Sequence, residues 1–279
     1  ELNNGYKTLV FAKVAISDTS KNLIQNEFHV LNDLNHRDLT SIYVPKVLYY
    51  SEKEFLEISN IKPKRYKQTS KLINVQIASL IKINSINHKH VQWKKMLEKY
   101  EIEGLIDNLK VKVIVDNGLD RQRVDSYIEK LSLLCKMINN EMNLSCGLAH
   151  GDFTPWNMYI NHEKLYIYDW ELSKETMPVL FDLFHYIFQS EVMVNRSDYV
   201  HVKNEIERVL GLISTKQLIK KFDVDINRNF IFYLIYISSY YIDIYSEQEK
   251  LHMQAFWLFD VWDDAISDVL NSPDGVFLN

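Results

Sequence analysis

HGDFTPWN, running from His150 to Asn157, is the stretch on which the reading of this chain turns. Two short apolar runs follow it, residues 157–160 and 164–170, on either side of the turn residues Asn161, His162 and Glu163. Asp169, Trp170 and Glu171 close the second run. The pattern predicts a loop leading into a β-hairpin whose open end holds Asn157 and Asp169 together. Those residue types suit phosphoryl transfer. A magnesium ion on nucleotide phosphates takes one or two hard protein oxygens, leaving its other positions to phosphate and water. Asn157 and Asp169 offer one neutral and one charged oxygen for it. An acceptor hydroxyl needs a carboxylate within hydrogen-bond reach, and Asp152 stands five residues before Asn157 on the same loop.

Working outward toward the N-terminus, the run TLVFAKVAI at residues 8–16 is β-branched and apolar, and residues 45–50 and 54–61 read as two further strands. One helical stretch, residues 20–34, separates them. Strand alternation leaves Lys13 as the one charge among apolar residues on both faces. Helical spacing sets Glu27 inside the stripe Leu23, Leu31 and Leu34. A charge facing a core is tolerated when paired, so Lys13 and Glu27 are expected to meet. The polar, basic segment KPKRYKQTS, residues 62–70, reads as a linker, and helical periodicity dominates beyond it. The division is therefore a small α+β unit, residues 1–62, and a mainly helical unit, residues 63–279, with the hairpin inside it.

HGDFTPWN and YDWE closely resemble the HxDxxxxN loop and the metal-binding aspartate motif of the protein-kinase-like superfamily, in the forms found in its aminoglycoside phosphotransferase and choline kinase branch. Lys13 and Glu27 resemble the strand lysine and helix glutamate that pair over the nucleotide phosphates there, and Pro178, Asp182 and Leu183 resemble residues that follow the metal aspartate. The resemblance runs from about Thr8 to Phe188. It implies an α+β, bilobal protein-kinase-like fold with ATP or GTP as donor and Mg2+ as cofactor. By it Asp152 is the catalytic base, Asn157 and Asp169 are metal ligands, Lys13 contacts phosphates with Glu27 as its partner, and His150 and Asp182 support the loop. Trp156 is expected to pack against the loop. Two departures stand out. Thr154 replaces a lysine of the protein kinases, which shifts charge neutralisation toward the metal. Only twelve residues precede Lys13, so the small lobe is expected to be incomplete, without its phosphate-covering loop.

The acceptor is expected to be a small molecule, because only eight residues separate Asp169 from Pro178, where the next helix is expected to begin. A peptide-docking segment has no room. From residue 240 onward, eight acidic residues face the single Lys250, a net of −7 in a chain of net −5. If Asp260, Asp263, Asp264 and their neighbours line the cleft, a cationic acceptor such as an amino sugar or amino alcohol would suit it.

The remaining composition excludes other classes. No GxGxxG or GxxxxGK[ST] pattern is present, and the balance of charge does not point to nucleic acid. Residues 230–245, the most apolar long run, contain Ser238, Ser239 and Asp243 and read as a buried helix rather than a membrane span. Two distant cysteines, Cys135 and Cys146, suit a reducing compartment, and a cytoplasmic protein is expected. Two rival readings stand beside the enzyme: a catalytically silent nucleotide-binding or scaffold protein of the same fold, and an unrelated helical binding protein in which the loop is coincidence.

Overall fold

Four strands and one helix build the first lobe: β1 (Val10–Val14), α1 (Asp18–Asn35), β2 (Ile42–Tyr43), β3 (Val47–Ser51) and β4 (Phe55–Ser59). The computed structural model describes residues 10–112, 118–272 and 274–277. Thr8 and Leu9 of the expected first strand, and everything before them, lie outside the described residues. β1, β4 and β3 form an antiparallel sheet in that order, with Lys13 opposite Leu56. α1 starts where Ser17 and Ser20 cap each other, the Ser17 hydroxyl accepting from the Ser20 amide and the Ser20 hydroxyl from the Ser17 amide. Its buried stripe is Ile24, Glu27, Val30, Leu31 and Leu34. β1 itself is less enclosed than its alternation suggests. Among the described residues it is an edge strand, and Val10, Phe11 and Val14 are exposed.

The second lobe opens with α2 (Asn74–Asn84), β5 (Lys89–Gln92), α3 (Trp93–Lys99), α4 (Ile102–Val111) and α5 (Arg121–Met137). β6 (Asn143–Ala149) leads into the loop. The hairpin is β7 (Met158–Asn161) and β8 (Lys164–Ile167), followed by β9 (Lys174–Pro178). The chain then runs through α6 (Phe181–Phe188), α7 (Tyr199–Leu210), α8 (Ile213–Phe222), α9 (Ile226–Glu247) and α10 (Met253–Asn271). β2 pairs in parallel with β8, and the Tyr168 hydroxyl accepts from the Ile61 amide at 2.6 Å, both of which join the lobes.

The sheet β5-β6-β9 is a departure from the expected helical texture. β6 is buried on both faces, so its sequence, NLSCGLA, shows no alternation. Gly147 is required there, because a Cβ would stand 2.1 Å from the Asn84 carbonyl oxygen. Pro178 also departs from expectation. It ends β9 rather than starting a helix, and α6 begins at Phe181. β9 is an edge strand, where a proline's missing amide is tolerated, and the Val179 amide bonds the Ser145 carbonyl and keeps the chain extended.

Residues 230–245 lie in α9, which buries Phe230 and Tyr233 against Phe184 of α6 and Phe232 against Trp93 of α3. No helix among the described residues is long and apolar enough to cross a membrane. α6 is buried along its whole length, so its two polar side chains, Asp182 and His185, must be satisfied inside the protein.

Candidate active site

The loop from His150 is held from behind by Asp182. That carboxylate is 1% exposed and accepts from the backbone amides of His150 at 2.7 Å and Gly151 at 3.0 Å. Gly151 has φ +85°, and a Cβ on it would lie 2.1 Å from the Leu172 carbonyl oxygen, so no other residue fits the turn. His150 is fully buried, with Nε2 2.8 Å from the Tyr168 carbonyl, and its Nδ1 accepts from the Asp152 amide at 3.2 Å. Those partners select the neutral ring protonated on Nε2, which ties the loop to the hairpin.

Asp152 follows on this loop and is fixed through both of its carboxylate oxygens. Its Oδ2 accepts from Asn157 Nδ2 at 2.8 Å, and its Oδ1 lies 3.1 Å from His185 Nε2. Burial pushes the Asp152 carboxyl up, but His185 and the Asn157 amide together hold it below the ordinary carboxylate range. His185 is absent from the sequence reading. Its available signal is the spacing Asp182 to His185, three residues apart on one helix face, which points both side chains at the loop.

The hairpin register sets the Asn157 carbonyl against the Tyr168 amide at 2.9 Å, one residue from Asp169. Asp169 itself adopts φ 64°, a left-handed conformation that aspartate tolerates better than most residues. Lys13 reaches this turn. Its ammonium lies 2.6 Å from Glu27, 2.5 Å from Asp169 and 2.8 Å from Glu171. The expected Lys13–Glu27 pair is present, and two further carboxylates join it. Glu27 is fully buried, and its other oxygen accepts from the Trp170 amide at 3.3 Å, so α1 is pinned to the turn that carries Asp169. Burial pushes Glu27 up and Lys13 opposes it, while the carboxylates together hold the Lys13 ammonium well above its usual range despite its burial.

The donor set fits a hard divalent cation. One oxygen from each of Glu27, Asp169 and Glu171 lies within 4.8 Å of the others. Three carboxylates against a single ammonium leave an excess of negative charge, which a divalent ion would neutralise. Asn157 spends its amide nitrogen on Asp152 and leaves Oδ1 without a hydrogen bond among the described residues. Asn157 and Asp169, the two residues expected to hold a metal, stand at the open end of the same hairpin, and Glu171 shares Lys13 with Asp169.

One expectation fails: Trp156 is 46% exposed rather than packed into the loop, because the 3-10 turn Pro155–Asn157 turns its two neighbours inward. Of the acids beyond residue 240, Asp260 pairs with Arg123, Asp263 with Lys130, Asp268 with Lys203, and Asp243 with Lys112. A net charge counted along the sequence cannot see these partners. What does border the loop is a narrow crevice between Gly151, Leu172 and Lys174 on one wall and Tyr236, Tyr240 and Tyr241 of α9 on the other.

No family model and no curated protein matches the sequence. Solved structures do. A choline kinase, LicA, from Streptococcus pneumoniae superposes with a TM-score of 0.59 at 14% identity, over 93% of this chain and 86% of its own. A glucosamine kinase gives 0.56 at 11% identity, over 94% of this chain and 73% of its own. The aminoglycoside phosphotransferase APH(2")-IIa, in a complex with streptomycin and ATP, gives 0.51 at 15% identity, over 81% and 77%. These identities speak to fold. The chain has the α+β, bilobal protein-kinase-like fold of the aminoglycoside phosphotransferase and choline kinase family.

Proposed function

We propose that this protein is a phosphotransferase that moves the γ-phosphate of ATP or GTP to a hydroxyl of a small molecule. The observation that supports the reading is a hairpin end that joins two contacts, Asn157 to Asp152 and Asp169 to Lys13, with the Asn157 carbonyl bonded to the Tyr168 amide between them. In this reading the lobe through about residue 62 holds the nucleotide and the remainder holds the acceptor. Asp152 accepts the acceptor's proton as the hydroxyl oxygen attacks, and its lowered pKa keeps it ionised for that task at neutral pH. His185 and Asn157 fix the carboxylate's two oxygens, so its orientation is set before the acceptor arrives. Asn157 and Asp169 would hold magnesium, which neutralises charge on the transferring phosphate. Lys13, with Glu27 behind it, turns from Asp169 and Glu171 to the phosphates when the nucleotide enters.

The catalytically silent reading draws on one observation: Lys13 is engaged by three carboxylates. Transfer of labelled phosphate from ATP or GTP to a panel of hydroxyl compounds separates the two. Asp152→Asn is expected to keep nucleotide binding and lose about 10² to 10⁴ in turnover. Asp169→Ala is expected to lose magnesium-dependent nucleotide binding. Full turnover in Asp152→Asn, or no magnesium-dependent nucleotide binding by the native protein, would overturn the proposal.

A further inference from the structure

Asn26 stands one position before Glu27 on α1 and is partly buried. Its amide nitrogen lies 2.8 Å from the Glu171 carbonyl oxygen, 3.0 Å from the Ser173 carbonyl oxygen and 3.2 Å from the Ser173 hydroxyl. Carbonyl oxygens only accept, so the side chain must present its NH2 group to them. Ser173 is itself buried, and its hydroxyl donates to the Trp170 carbonyl at 2.6 Å. One side-chain amide thus ties both ends of the turn from Glu171 to Ser173 to a helix of the first lobe.

That turn touches both halves of the site. On one side Asp169 and Glu171 reach the Lys13 ammonium. On the other, the Leu172 carbonyl lies so close to Gly151 that a Cβ there would stand 2.1 Å from it, which sets the loop of Asp152 against the same turn. Among the described residues, α1 and β1 hold the turn through Lys13, through the 3.3 Å bond from the Trp170 amide to Glu27, and through Asn26. The first of these ties is given up when Lys13 turns to the phosphates of a nucleotide. The bonds of Asn26 go to uncharged oxygens that the nucleotide does not claim, and the two to peptide carbonyls are shorter than the Glu27 bond. We propose that Asn26 is a positioning residue, which keeps the turn of Asp169 and Glu171 docked on α1 and against Gly151 once Lys13 has left it. The proposal rests on the phosphotransferase reading of the site. A turn that the ligand must order for itself costs conformational entropy, and that cost appears as lost nucleotide affinity.

Two variants of the full chain test it. Asn26→Ala removes the donor, whereas Asn26→Asp keeps the size and sets an oxygen against two carbonyls. Calorimetric titration with magnesium and ATP or GTP is expected to show about tenfold weaker binding in Asn26→Ala, a difference of about 1.4 kcal/mol, and a larger loss in Asn26→Asp. Lys82→Met is the control, because it cuts a different contact between the lobes, from Lys82 to the Thr40 carbonyl and the Ser41 hydroxyl. It should lower Tm and leave nucleotide affinity unchanged. Hydrogen exchange followed by mass spectrometry without nucleotide should quicken about tenfold at residues 170–173 in both Asn26 variants, while β6 keeps its protection. Native-like nucleotide affinity in Asn26→Asp would reduce Asn26 to packing. An equal affinity loss in Lys82→Met would make the effect a general loosening of the lobes. Either result, or unchanged exchange at residues 170–173, would overturn the assignment. A native protein that binds no magnesium–nucleotide sinks the phosphotransferase reading, while the exchange at 170–173 still judges the hold of Asn26 on the turn.

Discussion

Lys13→Met should destabilise this protein far more than Glu27→Gln, although the two residues form one ion pair. Methionine keeps the apolar stem of Lys13 and removes the ammonium from Glu27, Asp169 and Glu171. Glu27 is 0% exposed and cannot replace its partner with water, so it folds protonated. Keeping a carboxyl with an ordinary value of about 4.3 neutral at pH 7 costs about 3.7 kcal/mol, at about 1.36 kcal/mol per pH unit. That falls within the range of about 3 to 5 kcal/mol for breaking a buried pair from one side. Asp169 and Glu171 are partly exposed, stay hydrated and add little. The corresponding fall in Tm is about 6 °C for a chain of this length. Glu27→Gln leaves the ammonium with Asp169 and Glu171, keeps an acceptor for the Trp170 amide, and costs about 1 kcal/mol. The pH dependence has a definite sign. In Lys13→Met the Glu27 carboxyl titrates above its unfolded value, so the folded state binds the extra proton. The deficit is small near the unfolded value and grows as pH rises toward the folded one. Urea unfolding followed by tryptophan fluorescence at about pH 5 and about pH 7.5 measures both effects. Equal losses in the two variants, or a Lys13→Met deficit that ignores pH, would refute the argument.

Four further outcomes are expected. His185→Leu removes the donor that lies 3.1 Å from Asp152, so the Asp152 carboxyl should rise and the acid limb of the kcat profile should move to higher pH; an unmoved limb would show that His185 does not tune the base. Gly151→Ala should cost more than about 3 kcal/mol, from its positive φ and a Cβ placed 2.1 Å from the Leu172 carbonyl. Gly104→Ala, in α4 with nothing within 4 Å, should stabilise by up to about 1 kcal/mol, and thermal melts of the two compare them directly. Reversing Asp260 and Asp263 together should leave the acceptor KM unchanged and cost about 1 kcal/mol or less per pair in stability, because their partners are Arg123 and Lys130 on the outer flank. A raised acceptor KM would return these residues to the acceptor site.

The parts of this protein that could be read from the chain alone are those decided by neighbours a few residues apart. Residues 150–157 carry their loop in their own chemistry: one turn that only Gly151 allows, then a proline, then an asparagine at the mouth of a hairpin. Strand and helix periods place Lys13 and Glu27 toward each other, because alternation and 3.6-residue spacing are local properties of the backbone. What escaped that reading lies between residues far apart in the chain. Asp169 and Glu171 stand more than 150 residues from Lys13, and their closure on it is set by the packing of α1 against the turn after β8. β6 gave no alternation because both its faces are buried. Along the sequence the acids of α10 form a run of like charge, whereas in the fold Asp260 and Asp263 meet Arg123 and Lys130 of α5. A side chain's type is written locally. Its electrostatic meaning depends on which distant groups are near enough, and dry enough, to answer its charge.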